Sequence, residues 1–224
     1  MPLANAGYGL DDDAWLMARS ADNLATLGRY VPSRLPGYPT AELAFGLDFR
    51  LIGTGWIQGN ALSSLAGLGG AVAMYALLAG FDPRLRLLAA VALAFHPGYW
   101  INSVSTIDFI WDPVLLLASA LALRRNRSSL GGLCLALAVG ARLTNAFAVV
   151  PLAAFHFLVH RRARGTIWFA TVAGLGGAGL FVLPLLSAGP GFLQYTAALH
   201  RDYVTGGYHV YEEMLGLPFC LTAL

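Results

Sequence analysis

The sequence predicts an all-α protein: a polytopic transmembrane helical bundle with an outer-face loop region that carries short amphipathic helices. Hydrophobic residues make up 57% of the 224 residues and charged residues only 12%, and the mean hydropathy is +0.63. Uncharged runs such as 59–80 match the roughly 20 apolar residues that cross the ~30 Å hydrocarbon core of a bilayer. The formal net charge of +2 gives no indication of nucleic-acid binding.

Six candidate spans follow along the chain, at 57–80, 86–101, 107–123, 129–142, 146–159 and 166–187. Three short loops rich in arginine separate some of them: FDPRLR (81–86), RRNR (124–127) and HRRAR (160–164). Such loops stay in the cytoplasm, so an even number of crossings must separate neighbouring loops. Over 128–159 this rule favours a hairpin of two short helices, with its apex at 142–145, over one long kinked helix.

This topology divides the chain into four parts. Residues 1–56 form an outer-face loop with a juxtamembrane helix, and 57–187 form the bundle of about six helices, which includes the short hairpin 129–159. Residues 188–213 form a second outer-face loop and 214–224 begin a truncated span. Residues 1–56 are assigned to the outer face although nothing in the first residues resembles a signal peptide, and the final residues LGLPFCLTAL resemble the start of a further span. We therefore expect that an N-terminal span and several C-terminal ones are missing, through either a misplaced start or a gene fragment.

Small residues recur every four positions within two of the predicted spans. They form one row of Gly132, Ala136 and Gly140 and a second row of Gly174 and Ala178. Small side chains let helix backbones approach closely in a membrane. We therefore expect both rows to lie at helix–helix contacts.

Three consecutive aspartates precede the amphipathic stretch AWLMARSADNLATLGRY, in which apolar residues recur at helical spacing. An aspartate at the start of a helix can cap its free N–H groups and complement its dipole. One cap needs one carboxylate, however, and three adjacent like charges repel. A solvated, capped helix is one interpretation; the other is that Asp12 and Asp13 supply a base or a metal ligand at the membrane surface.

The stretch YVPSRLPGYPTAEL (30–43) contains three prolines, which fix the backbone and exclude a helix. Tyr38 and Glu42 lie on this stiff segment together with Arg34, whose guanidinium suits contact with an anion. Proline-rich, aromatic loops can also serve only for packing at the membrane interface. Both interpretations stay open at this stage.

Asp108 and Asp112 are four residues apart, which puts both carboxylates on one face of a helix at the outer mouth of a span. Ionisable groups at such positions face the bundle interior or a watery cavity. Arg142 and Asn145 lie at the hairpin apex, where the guanidinium either pairs with an outer aspartate or binds an anionic ligand. His96, before a proline, is either a helix-end residue or a ligand-binding residue.

Taken in their order along the chain, these motifs resemble the GT-C superfamily of membrane glycosyltransferases, which includes protein O-mannosyltransferases and aminoarabinose transferases. DDAW (12–15) resembles the acidic start of the family's first outer loop, and PSRLPGYP resembles the Pro-Gly-Tyr stretch of the same loop. GLCLALAVGARLTN (132–145) resembles the glycine-rich span that ends in a basic residue. The resemblance covers most of this chain but only the N-terminal half of a typical member.

The resemblance implies an inverting transfer of a sugar from a polyprenyl-phosphate donor to a lipid, glycan or protein acceptor, on the outer face of a prokaryotic cytoplasmic membrane. It makes Asp12 the general base and Asp13 its partner or a sugar contact, and it lets Arg34 or Arg142 hold the phosphate. The remaining substrate-binding candidates are Tyr38, Glu42, His96, Asp108, Asp112 and Asn145. No cofactor is implied; a divalent cation between the outer aspartates stays open, because hard cations favour carboxylate oxygens.

Two other classes of function remain. A transporter or channel would use Asp108, Asp112 and Arg142 as a relay in the membrane, and such proteins often contain inverted repeats. The sequence has no convincing internal repeat, and its acidic residues cluster at the outer rim. The other class is a non-catalytic remnant or an assembly subunit, which the truncated ends favour. In every case the spans would contact membrane lipids.

Overall fold

The computed structural model describes residues 7–9, 11–34 and 36–188, and within them the chain is helical and forms no β-strand. Its α-helices are α1 (Asp12–Leu27), α2 (Pro39–Ile52), α3 (Trp56–Leu77), α4 (Pro83–Ala94), α5 (Pro97–Asn102), α6 (Trp111–Arg124), α7 (Ser128–Ala141), α8 (Val149–His160) and α9 (Ala163–Ala188). Short 3₁₀ turns, Asp108–Ile110 and Leu143–Ala148, precede α6 and α8. The predicted outer loop and truncated span after residue 188 lie outside the described residues.

Three helical segments are long and apolar enough to cross a membrane: Trp56–Leu77, Leu143–His160 and Ala163–Ser187. The middle one combines the second 3₁₀ turn with α8. Helix α7 is apolar but has only 14 residues, or about 21 Å at 1.5 Å per residue. The predicted all-helical class is thus confirmed, and the described residues contain three candidate membrane spans.

Two of the predicted spans are interrupted. The span expected over 86–101 divides into α4 and α5, because His96 is extended (φ −62°, ψ 125°) and Pro97 starts a new helix. A residue before proline is sterically biased away from the helical conformation. The span expected over 107–123 begins as an α-helix only at Trp111, after extended backbone at Ile107 and the first 3₁₀ turn.

Over 128–160 the chain forms two short helices, α7 and α8, joined by the second 3₁₀ turn, and not one long kinked helix. Arg142 ends α7 in an extended conformation (φ −152°, ψ 121°), and the chain returns through the 3₁₀ turn into α8. At the far end of the hairpin, Ser128 Oγ lies 3.3 Å from His156 Nε2. The start of α7 and the last turn of α8 therefore lie side by side.

The three arginine-rich loops meet at one end of the bundle. The Arg124 guanidinium donates to the carbonyl of Leu77, at the end of α3. His160 Nε2 lies 2.8 Å from the carbonyl oxygen of Leu123, near the end of α6. The loops that follow α3, α6 and α8 are thus neighbours, as the even number of crossings required. We term residues 81–86, 124–127 and 160–164 the arginine end.

Helices α1 and α2 pack on each other near the opposite end. Their shared core is formed by Met17, Ala18, Ala21, Ala41, Phe45 and Phe49, and Trp111 at the start of α6 packs edge-on against Phe45. Helix α1 begins at the acidic motif as predicted, because the Asp11 carboxylate accepts a hydrogen bond from Asp13 N–H at 3.0 Å. The expectation that prolines exclude a helix throughout 30–43 is wrong from Pro39 onward. Pro39 occupies the first position of α2, where a backbone N–H would have no acceptor within the helix, so its absence costs nothing.

Glycines let α7 approach its neighbours. A Cβ on Gly132 would lie 2.7 Å from the carbonyl oxygen of Phe169 in α9, and one on Gly140 would overlap Thr40 of α2. The first predicted row of small residues is confirmed as a packing surface. The second row is wrong, since a Cβ on Gly174 would meet no atom within 4 Å, and Gly177 contacts α7 instead.

Candidate functional site

Four charged residues from four separate segments form one ion-pair cluster. Asp108 has no exposed side-chain surface; its Oδ1 lies 2.7 Å from Arg34 Nη2 and its Oδ2 lies 3.4 Å from Arg142 Nε. The same Arg34 nitrogen lies 3.3 Å from Asp13 Oδ2. We term Asp13, Arg34, Asp108 and Arg142 the charged cluster. All four are residues that the sequence indicated.

The fold brings these residues together at the end opposite the arginine end. Asp108 lies just before α6 and Arg142 just after α7, and both helices have their other ends at the arginine end. Asp13 is in the first turn of α1, and Arg34 is in the segment that joins α1 to α2. Thr40 Oγ1 donates to the Leu137 carbonyl at 2.7 Å and so fastens the start of α2 to α7 near Arg142.

Glu42 holds the segment that carries Arg34. Its fully buried carboxylate accepts hydrogen bonds from the Tyr30 hydroxyl, from Ser33 N–H and Oγ–H, both at 2.6 Å, and from Tyr38 N–H at 3.2 Å. Burial raises the pKa of Glu42, while these donors act to lower it. With both oxygens occupied, Glu42 is a positioning residue in this structure, whereas we had expected it to contact substrate.

Aromatic rings flank both arginines. The Arg34 guanidinium carbon lies 4.1 Å from the centre of the Tyr38 ring, and that of Arg142 lies 4.1 Å from the centre of the Phe109 ring. Cations over ring faces are attracted by the ring quadrupole. Phe109 was not among the predicted residues; its only signal was that it directly follows Asp108.

A hydrogen-bonded loop fixes Asp108. Thr106 N–H donates to the Tyr8 carbonyl at 2.7 Å, and Thr106 Oγ1 donates to Asn60 Oδ1 of α3 at 2.9 Å. These two hydrogen bonds tie Thr106 to the N-terminal segment and to the bundle, and both Thr106 and Ile107 are buried. The carboxylate that separates the two arginines is thus held from several directions.

The structure brings Asp13, and not Asp12, into the charged cluster. Asp12 is exposed on the first turn of α1, whereas the Asp13 side chain is 31% exposed and faces Arg34. Partial burial raises the pKa of Asp13; Arg34 acts to lower it, and Asp11 and Asp108 act to raise it. Asp13 therefore combines access to solvent with a carboxyl that accepts a proton more readily than an ordinary aspartate.

Of the other predicted residues, Asp112 and Asn145 lie against each other, whereas His96 lies apart from the charged cluster. One Asp112 oxygen is buried and has no hydrogen-bond partner in the described part of the chain. The Asn145 side chain lies against the Asp112 carboxyl, and its Nδ2 donates to the Ala138 carbonyl at 2.9 Å. His96 is exposed and precedes the first residue of α5, and no contact joins it to the charged cluster within the described residues.

Comparisons of the chain with protein-family models, with curated proteins and with solved structures find no match.

The charged cluster can supply two kinds of chemistry. Arg142 pairs with Asp108 through Nε, and its side chain is 35% exposed, so its terminal nitrogens are suited to an anion such as a phosphate. Asp13 can accept a proton from a group bound beside that anion. The sequence left undecided whether a divalent cation lies between the outer aspartates. In the structure the Arg34 guanidinium lies between the Asp13 and Asp108 carboxylates. Within residues 7–9, 11–34 and 36–188, no group of three or more His, Cys, Asp or Glu could hold a metal ion.

Proposed function

We propose that the protein is a membrane glycosyltransferase that moves a sugar from a polyprenyl-phosphate donor to a hydroxyl or amine acceptor. The observation that supports this most is the charged cluster, where a partly exposed carboxylate lies beside two arginines at one end of a helical membrane protein. The motifs DDAW and PSRLPGYP, whose resemblance to GT-C enzymes suggested this activity, contribute Asp13 and Arg34 to that cluster.

The proposed reaction requires a cation for the leaving group and a base for the acceptor. The acceptor oxygen or nitrogen attacks the anomeric carbon on the face opposite the lipid phosphate. The bond between that carbon and the phosphate oxygen breaks, its electron pair leaves with the phosphate, and the configuration inverts. The acceptor proton passes to the Asp13 carboxylate, a contribution of roughly 10²–10⁴-fold, while Arg142 stabilises the charge of the departing phosphate.

Exposure assigns the roles within the charged cluster. Both oxygens of Asp108 contact guanidinium groups and its side chain is fully buried, so this carboxylate orients the arginines and does not reach substrate. Arg34 is 18% exposed and already shared by two carboxylates, which makes the more exposed Arg142 the better phosphate ligand. Asp13 replaces Asp12 as the proposed base, because of these two aspartates only Asp13 pairs with Arg34.

The distribution of charge supports an orientation. Eight arginines lie at the arginine end, and Asp82 is the one acidic residue among its three loops. Short arginine-rich loops remain in the cytoplasm. In the proposed orientation the charged cluster faces the outer side of a prokaryotic cytoplasmic membrane, where donor and acceptor would meet.

The test is a transfer assay on the purified protein in proteoliposomes, with radiolabelled sugar on a polyprenyl phosphate. We expect transfer by the wild type and, for Arg142→Gln, a loss of about 10²–10³-fold, the usual effect of removing one donor to a developing negative charge. Arg86→Gln is the matched control, because it removes the same charge at the arginine end. A wild type that transfers no polyprenyl-linked sugar, or an Arg142→Gln rate equal to that of the control, refutes the proposal.

A further inference from the structure

A second site lies at the arginine end, far from the charged cluster along α6 and α7. An open cleft of about 920 Å³ is lined by the start of α7 and the start of α9. The cleft has both polar and apolar lining residues. The polar ones include Asn126, Ser128, Arg162 and Arg164, and the apolar ones include Ile167 and Trp168. The proposed sugar transfer assigns no role to any of these residues.

The polar side of the cleft is suited to an anion. Arg162 and Arg164 are exposed lining residues, and the first turns of two helices border the same space. The first N–H groups of a helix lack intrahelical partners and carry partial positive charge. In α7 no side chain caps them, since its N-cap residue, Arg127, makes no side-chain hydrogen bond there. Two arginines and two helix starts therefore border one cleft.

Close packing beside the cleft holds the starts of α7 and α9 together. His156 is fully buried, with Nδ1 2.9 Å from Thr166 Oγ1 and Nε2 3.3 Å from Ser128 Oγ, so it joins α8 to both α7 and α9. A Cβ on Gly165 would lie 2.9 Å from His156 Cε1 and 3.0 Å from Ser128 Oγ. The two helix starts are thus held at a fixed separation.

The other side of the cleft is apolar and belongs to a candidate membrane span. Ile167 is 66% exposed and Trp168 is 54% exposed, both in the first turns of α9. Trp168 Nε1 donates to Ser129 Oγ at 2.8 Å, which fixes the ring against the start of α7. Tryptophan is typical of the level where lipid headgroups meet hydrocarbon. A ligand of the cleft thus meets positive charge and an apolar, membrane-level surface together.

We propose that this cleft binds the phosphate headgroup of an anionic phospholipid. The phosphate contacts Arg162, Arg164 and the start of α9, and the acyl chains run along Ile167 and Trp168 into the bilayer. Basic pockets between membrane helices recognise anionic headgroups through this combination of charge and location. A soluble anion matches only the polar half of the cleft.

The test is native mass spectrometry of the full chain in detergent micelles that contain phosphatidylglycerol or phosphatidylcholine. We expect the wild type to retain phosphatidylglycerol preferentially. Arg162→Gln/Arg164→Gln should weaken this binding by about 30-fold or more, since each substitution removes a direct charge-assisted contact with the phosphate worth at least about 1 kcal/mol, or roughly five-fold in affinity. Arg84→Gln/Arg86→Gln is the matched control, because it removes equal charge from the same end but outside the cleft. Its binding should change less than about three-fold, since exposed charges without a direct contact contribute little.

If both double variants lost phosphatidylglycerol binding equally, the binding would reflect general charge attraction and the proposal would be overturned. An unchanged affinity in both variants would also overturn it. Displacement of phosphatidylglycerol by inorganic phosphate or glycerol phosphate at lipid-like concentrations would make the cleft a site for soluble anions, which also overturns it. A further measurement needs no arginine variant. Phosphatidylglycerol with brominated acyl chains should quench the tryptophan fluorescence of the wild type more than that of Trp168→Phe, and equal quenching contradicts the proposed placement.

Discussion

The replacement Asp108→Asn removes the negative charge that separates two guanidinium groups. The Asp108 side chain is fully buried, whereas Arg34 is 18% and Arg142 is 35% exposed. Breaking a buried ion pair by removing one partner costs about 3–5 kcal/mol. Because both arginines keep some contact with water, which screens their charges, we expect the lower end, about 3 kcal/mol of unfolding free energy.

The assay is reversible unfolding in mixed micelles with increasing SDS, followed by far-UV circular dichroism. Asp12→Asn is the matched control: it changes the same functional group at an exposed helix start and should cost less than about 1 kcal/mol. In an Arg34→Gln background the cost of Asp108→Asn should shrink, because paired residues are coupled by about 0.5–3 kcal/mol. A loss no larger than that of the control, with no coupling to Arg34, would refute the assignment of Asp108 as the centre of the charged cluster.

Three further predictions concern Glu42, the contact between α7 and α9, and the titration of Asp13. Glu42→Gln should lower the unfolding free energy by about 3 kcal/mol in the same SDS titration, because an amide N–H₂ would face hydrogen-bond donors; an unchanged midpoint contradicts this role. Gly132→Ala should destabilise the protein by about 1–3 kcal/mol through overpacking, whereas Gly174→Ala, which points into open space, should not; equal effects would contradict the α7–α9 contact. For sugar transfer, the acid limb of the pH–kcat/KM profile should lie above the usual aspartate range, because the base must be deprotonated and burial raises the pKa of Asp13. Arg34→Gln should move that limb to higher pH, because a cation that lowers this pKa is gone; a shift to lower pH would contradict Asp13 as the base.

Charge and composition predicted the helical class and part of the course of the chain. Arginine loops, apolar runs and the even number of crossings together predicted a hairpin over 128–159, and the structure has one. Helix ends were predicted less well, because proline has opposite effects at different positions. Pro39 and Pro97 each start a helix, although a proline inside a helix disrupts it.

The difference between Asp12 and Asp13 depends on the phase of α1. Successive residues of a helix point about 100° apart, so only one of two adjacent aspartates can face a given neighbour. Asp13 precedes the buried residues Met17 and Ala21 by four and eight positions, which puts all three on one face. That spacing was present in the sequence, but the choice between the two aspartates was made from the family motif.

The sequence indicated one contact over a long sequence separation, the pairing of Arg142 with an outer aspartate, which the structure shows to be Asp108. The other long-range contacts of the charged cluster were not specified by the sequence. Arg34 and Asp108 are 74 residues apart, and nothing near either residue specifies the other as its partner. Similarly, Glu42 has the residue type of a substrate ligand, and only the four hydrogen bonds it accepts identify it as the residue that holds the Arg34 segment. Burial and partners, which come from tertiary packing, decide between such roles.

The most direct test of the central claim compares Asp13→Asn with Asp12→Asn in the sugar-transfer assay. Both variants exchange one carboxylate for an amide in the first turn of α1, so they differ only in whether the residue contacts the charged cluster. We expect Asp13→Asn to lose at least about 10²-fold in kcat while it remains folded by circular dichroism, and Asp12→Asn to keep most of its activity. Loss of activity in Asp12→Asn with little change in Asp13→Asn would contradict the claim that the charged cluster is the catalytic centre.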